Sequence, residues 1–280
     1  MNRPQPPGQS PEPSLAPEEG WHCSHFYYTF DRAALSAMRD GKLAKGRDEL
    51  AKCLSPSSAS VERLQTSIVS GHKADFGLMI MDPNPLKIDA VHQQLAASRL
   101  GSVLVPKYSY VSVTEVSEYV PSLQQYGERL VTEGVEKDND VYQAKMKAYE
   151  GREPMMRKQR LSPDFPDWPA TCFYPMNKKR KVGENWFSLD FVERSRMMSE
   201  HAKSGMTFAG KVTQLITVSV GLDDWEWGVT LWGKNPQYLK DIVYRMRFDE
   251  ASARYAEFGP FYTSYICTPE AMLDHCRIGA

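Results

Sequence analysis

The 280 residues carry 34 Lys and Arg against 35 Asp and Glu, a net charge of -1, with 41% hydrophobic residues. That balance is ordinary for a globular protein and sets up no overall field to gather nucleic acid or an anionic membrane, so an acidic ligand would need a local basic cluster. Five scattered cysteines (Cys23, Cys53, Cys172, Cys267 and Cys276) form no CxxC pair. They argue against a disulfide framework or a zinc site and fit a reducing, cytoplasmic setting.

Met1 to Gly20 holds six prolines and no apolar run. This predicts a disordered tail over 1–19 rather than a signal peptide or a membrane span. Trp21 to Phe30 then reads as an aromatic strand, and Asp31 as the cap of a helix from about Arg32 to Leu54, broken near Gly41. Thr66 to Val69 and Ala74 to Met81 read as strands around a Ser70–Lys73 turn. Leu86 to Arg99 has helical spacing, and Tyr108 to Val113 is β-branched and aromatic. The order over 20–118 is βαββαβ.

Residues 119–170 differ. They are charged, contain Gly127, Gly134 and Gly151, and end in a proline-studded run up to Pro169. A connection this long is functional or mobile, so a mobile linker with a short exposed helix over 131–149 is expected.

From 171 to 280 the pattern repeats. Thr171 to Met176 is a strand, Asp190 with Glu193 caps a helix to about Lys203, and Gly205 can end it. Lys211 to Val220 and Trp225 to Trp232 flank a Gly221–Asp224 turn. Asn235 and Pro236 open a further helix, and Phe261 to Cys267 is the last strand. The fold class expected is α+β, with two ferredoxin-like βαββαβ domains.

Chemistry-bearing residues concentrate between Cys172 and Trp232. His201 shares a helix face with Met197 and Met198. It is either an ordinary surface or core histidine or an axial ligand to a haem-type iron, where one imidazole suffices. No second histidine stands at zinc spacing. Gln214 shares a strand face with Val212, Ile216, Val218 and Val220, as a satisfied core amide or a donor facing a pocket. Tyr174, before Pro175, is a packing aromatic or a redox-active phenol. Lys178, Lys179, Arg180 and Lys181 form a solvated turn or a carboxylate-binding rim. No Gly-rich phosphate loop, GxSxG or HExxH motif is present.

The segments CFYPMNKKR, NWF, AGKVTQLI, SVGLDDWEWGVTLW and MRFDEASARYAEFG closely resemble the coproheme decarboxylases, the haem-synthesising branch of the chlorite dismutase superfamily. Gly71 to Asp75 and Pro106 to Val113 extend the likeness to the first half. The resemblance implies that the two domains form a dimeric α+β barrel, with subunits assembled as homopentamers. The second domain would bind iron-coproporphyrin III (coproheme). With hydrogen peroxide as oxidant, propionates 2 and 4 would be converted to vinyls, giving haem b and carbon dioxide.

Residue by residue, the resemblance makes His201 the iron ligand, Tyr174 the tyrosine whose radical attacks a propionate, and Gln214 the distal residue. Arg160, Tyr174, Pro175, Met176, Asn177, Lys178 and Ser252 would hold the porphyrin, and Tyr110 would reach a propionate from the first domain. Asp249 and Glu250 are candidates to bond the far nitrogen of His201. A coproporphyrin ferrochelatase is the partner such a pathway implies. Chlorite dismutases carry a distal arginine where Gln214 stands, so chlorite chemistry is the runner-up reading. A non-catalytic haem chaperone or sensor is the third.

Overall fold

The structure, a computed structural model, describes residues 12–55, 60–137 and 139–279. Residues 1–11 of the expected disordered tail lie outside the described residues. The remainder of that segment is tethered: the Leu15 carbonyl accepts from His22 Nε2 at 2.8 Å, and Glu19 pairs with Arg157.

The first half runs β1 (His22–Phe30), α1 (Arg32–Ser36), α2 (Asp40–Leu54), β2 (Arg63–Val69), β3 (Phe76–Asp82), α3 (Pro85–Ala97) and β4 (Leu104–Thr114). Asp31 caps α1 as expected, accepting from the Ala33 and Ala34 amides. The helical break falls at 37–39, ahead of Gly41, which lies inside α2. Two helices follow, α4 (Leu123–Thr132) and α5 (Asp140–Leu161), in place of the single one expected over 131–149. Ser122 and Gln125 form a capping box that starts α4. Gly134, at φ +88°, follows its end, and Asn139 caps α5.

The second half comprises β5 (Ala170–Lys178), the short hairpin β6 (Arg180–Lys181) and β7 (Glu184–Asn185), α6 (Phe191–Met206), β8 (Val212–Val218) and β9 (Trp227–Gly233). It continues with α7 (Pro236–Met246), α8 (Glu250–Tyr255), β10 (Ala256–Phe258), β11 (Tyr262–Ile266) and α9 (Pro269–His275). Gly205 does not terminate α6, which continues to Met206 and is capped by Thr207. The elements α8, β10 and α9 lie outside the expected pattern.

Strand order is β4-β1-β3-β2 in the first half and β8-β9-β5-β11 in the second. In each, the first strand of the unit pairs with its third and fourth, the ferredoxin-like arrangement. The two sheets join at both edges. Val113 and Thr114 of β4 pair with Val218 and Thr217 of β8, and Ser67 to Val69 of β2 pair with Ile266 to Ser264 of β11. The result is a closed barrel, which removes the exposed edges that open sheets present.

Strand alternation then gives every strand an inner and an outer face. The inner faces fill the lumen with Tyr27, Tyr110, Phe173, Tyr262, Met79, Met81, Leu215 and Trp232. His25 is buried there too, stacked on Phe173 at 4.0 Å and 2.9 Å from Thr230 Oγ1. Burial draws its pKa down to about 3, so the ring is neutral. The cavity beside it, about 20 Å³, has room for roughly one water. The lumen is a packed core and cannot hold a large ligand.

The outer face of the first sheet is covered by α2 and α3 through Leu50, Leu54, Ile88, Val91 and Leu95. Met272 and Leu273 of α9 and the following Ile278 join the same core, so the C-terminal segment staples the second half to the first. Full burial of each such side chain stabilises by about 1.5–3 kcal/mol.

Gly228 of β9 faces the lumen, where an added methyl would meet the Tyr110 ring and come within 2.9 Å of Thr217 Oγ1. Gly228→Ala is therefore expected to destabilise the barrel by about 1–3 kcal/mol, read as a lowered midpoint in urea unfolding. An unchanged midpoint would mean that the lumen is looser than described.

Candidate functional site

With the lumen filled, a large ligand must lie outside the barrel, and the second sheet has an incompletely covered outer face. Strand register defines that face row by row. Gln214, Leu231 and Cys172 form one row across β8, β9 and β5. Ile216, Val229 and Tyr174 form the next, then Val218, Trp227 and Met176. Lys178 continues the β5 column by the same two-residue period. Helix α7 buries the β5 and β9 side of this face through Leu239, Ile242 and Met246. Along β8 the cover extends to Val212 but no farther: Gln214 is exposed and Ile216 remains 39% exposed. An apolar strip carrying one amide is thus left open, so Gln214 is not a buried core amide.

Tyr174 sits on the covered side of the face. Its ring stacks on Phe261 at 4.4 Å and tilts against Phe258 at 5.8 Å. Burial raises the phenol pKa, and Cys172 adds to this, while Arg247 opposes it. The hydroxyl therefore keeps its proton at neutral pH.

His201 stands on α6, which packs on α7 and α8 and so flanks the same side of the sheet. Its Nδ1 lies 2.9 Å from Asp249 Oδ2 and 3.4 Å from Ser252 Oγ. A carboxylate at that distance accepts from Nδ1–H, and Nε2 lies on the other side of the ring from that bond. Asp249 is also the N-cap of α8, accepting from the Ser252 amide at 2.9 Å. Burial pushes its pKa up, but the bonds from His201 and Ser252 outweigh that, and the carboxyl is held below its usual value. Of the two carboxylates considered from sequence, Glu250 instead pairs with Arg196 and Arg254.

The basic residues divide sharply. Lys179 pairs with Glu184 and Arg180 with Glu226, which neutralises much of the turn. Lys178 has no carboxylate partner among the described ion pairs, and its Nζ lies 4.3 Å from the Trp186 ring centroid. Burial draws its pKa down to about 8, with the field of Asp249 opposing. Arg160 lies in the last turn of α5, whose final residue, Leu161, accepts from Thr114 Oγ1 at 2.7 Å, and α5 touches β8. Arg157 and Lys158 are paired with Glu19 and Asp164, whereas the Arg160 guanidinium donates only to Met156 O of its own helix among the described contacts. Lys178 and Arg160 thus have no carboxylate partner among the described ion pairs, as is true of Lys181 in the same basic run.

Other expected residues sit elsewhere. Pro175 and Asn177 fall on the opposite side of β5 from Tyr174, and Asn177 Oδ1 accepts from the Glu226 amide. Ser252 lies behind the histidine. Tyr110 is fully buried inside the lumen, paired across β1 with His25, and does not reach the outer face. The sheet alternation that separates Phe173 from Tyr174 separates it as well. Trp186, under the Lys178 ammonium, is a neighbour of the candidate site that spacing did not reveal. Asp249 could have been read as a helix cap, since Asp is a favoured N-cap residue. A concavity of about 640 Å³ bounded by Lys42, Glu49 and Arg99 lies in the first half and holds none of these residues. Among the described residues no helix is long and apolar enough to cross a membrane.

Lys178 attracts an anionic ligand only while protonated. Affinity for a carboxylate-bearing porphyrin, followed by absorbance titration, is therefore expected to fall as pH rises through about 8, and Lys178→Met should flatten that profile. Asp249→Ala removes both a helix cap and the buried partner of His201. It should cost about 1–3 kcal/mol in unfolding experiments, and a neutral result would show that Asp249 supports neither.

The chlorite dismutase family profile matches residues 44–267. The chain is 34% identical over 265 residues to a coproheme decarboxylase of Oceanobacillus iheyensis, spanning 93% of this chain and 97% of that one. A heme-binding protein of Thermus thermophilus superposes with a TM-score of 0.76 at 31% identity, covering 96% and 99% of the two chains. A chlorite dismutase mutant of Candidatus Nitrospira defluvii shares the fold, with a TM-score of 0.70 at 14% identity and coverage of 94% and 97%. A profile spanning most of the barrel and near full-length relatives agree, and the chain belongs to the chlorite dismutase family.

Proposed function

We propose that this protein is a coproheme decarboxylase, which uses hydrogen peroxide to convert propionates 2 and 4 of iron-coproporphyrin III to vinyls and yields haem b. The observation that carries the reading is one sheet face with Gln214 and Ile216 in the open and Tyr174 beneath α7, flanked by a histidine whose Nδ1 is bonded to Asp249 and by Lys178 and Arg160, which have no carboxylate partner among the described ion pairs. The donor set fits an iron porphyrin: one imidazole for the metal, apolar Ile216 and Met176 for the macrocycle, Lys178 and Arg160 for carboxylates. When bound, the iron porphyrin supplies the two-electron oxidation that peroxide drives.

The protein's part is binding, orientation and proton placement. Asp249 holds His201 with Nε2 directed away from its own bond. Lys178 and Arg160 anchor propionates through charge-assisted hydrogen bonds, which fix position as well as affinity. Tyr174, clamped by Phe261 and Phe258, offers its phenol to the β-carbon of the propionate beside it. Loss of that hydrogen and of carbon dioxide leaves a vinyl and removes two electrons, so one peroxide is consumed per vinyl. Gln214 is neutral, which suits peroxide better than the arginine that chlorite chemistry uses. A reorientation between the two steps, gated by residues 119–170, belongs to the same reading. So do a cytoplasmic homopentamer and supply of coproheme by a ferrochelatase.

The test is to load the protein with ferric coproheme, titrate peroxide and follow porphyrin mass. Sequential loss of two carboxyl groups is expected, and its abolition in Tyr174→Phe. Unimpaired decarboxylation by that variant contradicts the role of the phenol, and oxygen release from chlorite would favour the other branch.

A further inference from the structure

We propose that Tyr262, Tyr27 and Tyr108, stacked inside one end of the barrel, form a side path that drains an oxidising equivalent from Tyr174 when no propionate is positioned to react. The inference rests on the function proposed above and adds to it an activity for residues on the far side of the sheet.

The aromatic rings are contiguous through the barrel wall. Tyr174 stacks on Phe261 at 4.4 Å on the outer face, and the next residue, Tyr262, projects into the lumen. There Tyr262 stacks on Tyr27 at 4.0 Å and on Tyr108 at 5.4 Å, with interplanar angles of 20° and 16°. On the other flank Phe173, the chain neighbour of Tyr174, lies 6.1 Å from Tyr27 and 6.4 Å from Tyr108. Tyr262 and Phe173 are cross-strand partners, with backbones about 5 Å apart. Packing alone asks only for apolar rings in a lumen. Here the stacked set is phenols, and the Tyr108 hydroxyl is buried without a hydrogen-bond partner. Leaving a polar group in that state costs stability, so some use beyond packing is called for.

Charge favours movement in one direction. Arg247 acts on Tyr174 at the start of the path, and Asp223 with Asp224 acts on Tyr108 at the other end. A positive charge disfavours electron loss beside it, and carboxylates favour it. Tyr108 is only part-buried, so the path ends near solvent.

The step balances as one electron and one proton. A lumen tyrosine gives an electron to the Tyr174 phenoxyl, and its phenolic proton passes toward the carboxylates that act on Tyr108, Asp223 and Asp224, and so to solvent. Tyr174 takes a proton from water at its 6% exposed edge and is restored. A soluble thiol, as one-electron reductant, then returns the outer tyrosine to the phenol.

The experiment uses full-length protein loaded with haem b, excess peroxide and a nitroso spin trap, with trapped residues located by peptide mass spectrometry. Trap adducts on Tyr262 and Tyr108 are expected, with loss of both in Tyr174→Phe. In Tyr262→Phe the Tyr108 adduct should be lost while coproheme decarboxylation stays unchanged. Porphyrin mass in a parallel coproheme-loaded sample separates the two claims. If both carboxyl groups leave yet the trap stays confined to Tyr174, or Tyr262 is trapped equally in Tyr174→Phe, the side path is wrong and the function stands. If no carboxyl group leaves, the function falls and the side path with it.

Discussion

The two faces of β5 carry different duties because alternate side chains of a strand must point to opposite sides. In an open, half-solvated sheet that rule only separates core from surface. In this closed barrel both faces are occupied, and a single register decides which residues pack the lumen and which are available to a ligand. Phe173 points inward to a filled core, while Cys172, Tyr174 and Met176 point outward beneath α7. A slip of one residue would bury the phenol in the lumen and turn Phe173 and Pro175 to the ligand face. Closure at the β4–β8 and β2–β11 seams fixes that register from both sides.

Electrostatics sharpens what packing arranges. Of the basic run after Met176, Glu184 of the β6–β7 hairpin and Glu226, just before β9, absorb Lys179 and Arg180 and leave Lys178, on the outer face, without a carboxylate among the described ion pairs. The same sorting along α5 isolates Arg160 from its neighbours. Asp249 joins the two halves of the site, since it orients His201 by a direct bond and acts on Lys178 through space. One buried carboxylate thereby serves a helix cap, an imidazole and an ammonium. Asp249 is therefore the side chain whose loss should disturb the site most widely.

Much of this was legible in the sequence where the signal is local. Asn235 and Pro236 cap and begin α7 as their residue types demand, and Asp190 accepts from the Glu193 amide at the start of α6. The repeated βαββαβ order follows from periodicity within each half. The closure of the two sheets into one barrel was expected only by resemblance, because it depends on pairs such as Val113 with Val218, which no local pattern links. The helix expected over 131–149 failed on one residue, Gly134, whose left-handed conformation separates α4 from α5. Tyr110 was assigned to the ligand by family likeness, but its strand partner His25 places it in the lumen. Gln214 could not be decided by spacing, since the same strand pattern serves a covered or an open face. What the structure adds is that α7 touches β8 and Val212 is buried with its side chains, while Gln214 and Ile216 farther along the strand stay exposed.

The central claim is that this outer face binds an iron porphyrin through His201. The direct measurement is resonance Raman spectroscopy of the ferrous coproheme-loaded protein, which detects an iron–imidazole stretching band. The account predicts that band in the wild-type protein and its loss in His201→Ala, with the porphyrin still held by Lys178 and Arg160. An unchanged band in His201→Ala would place the iron on another ligand and contradict the account at its root.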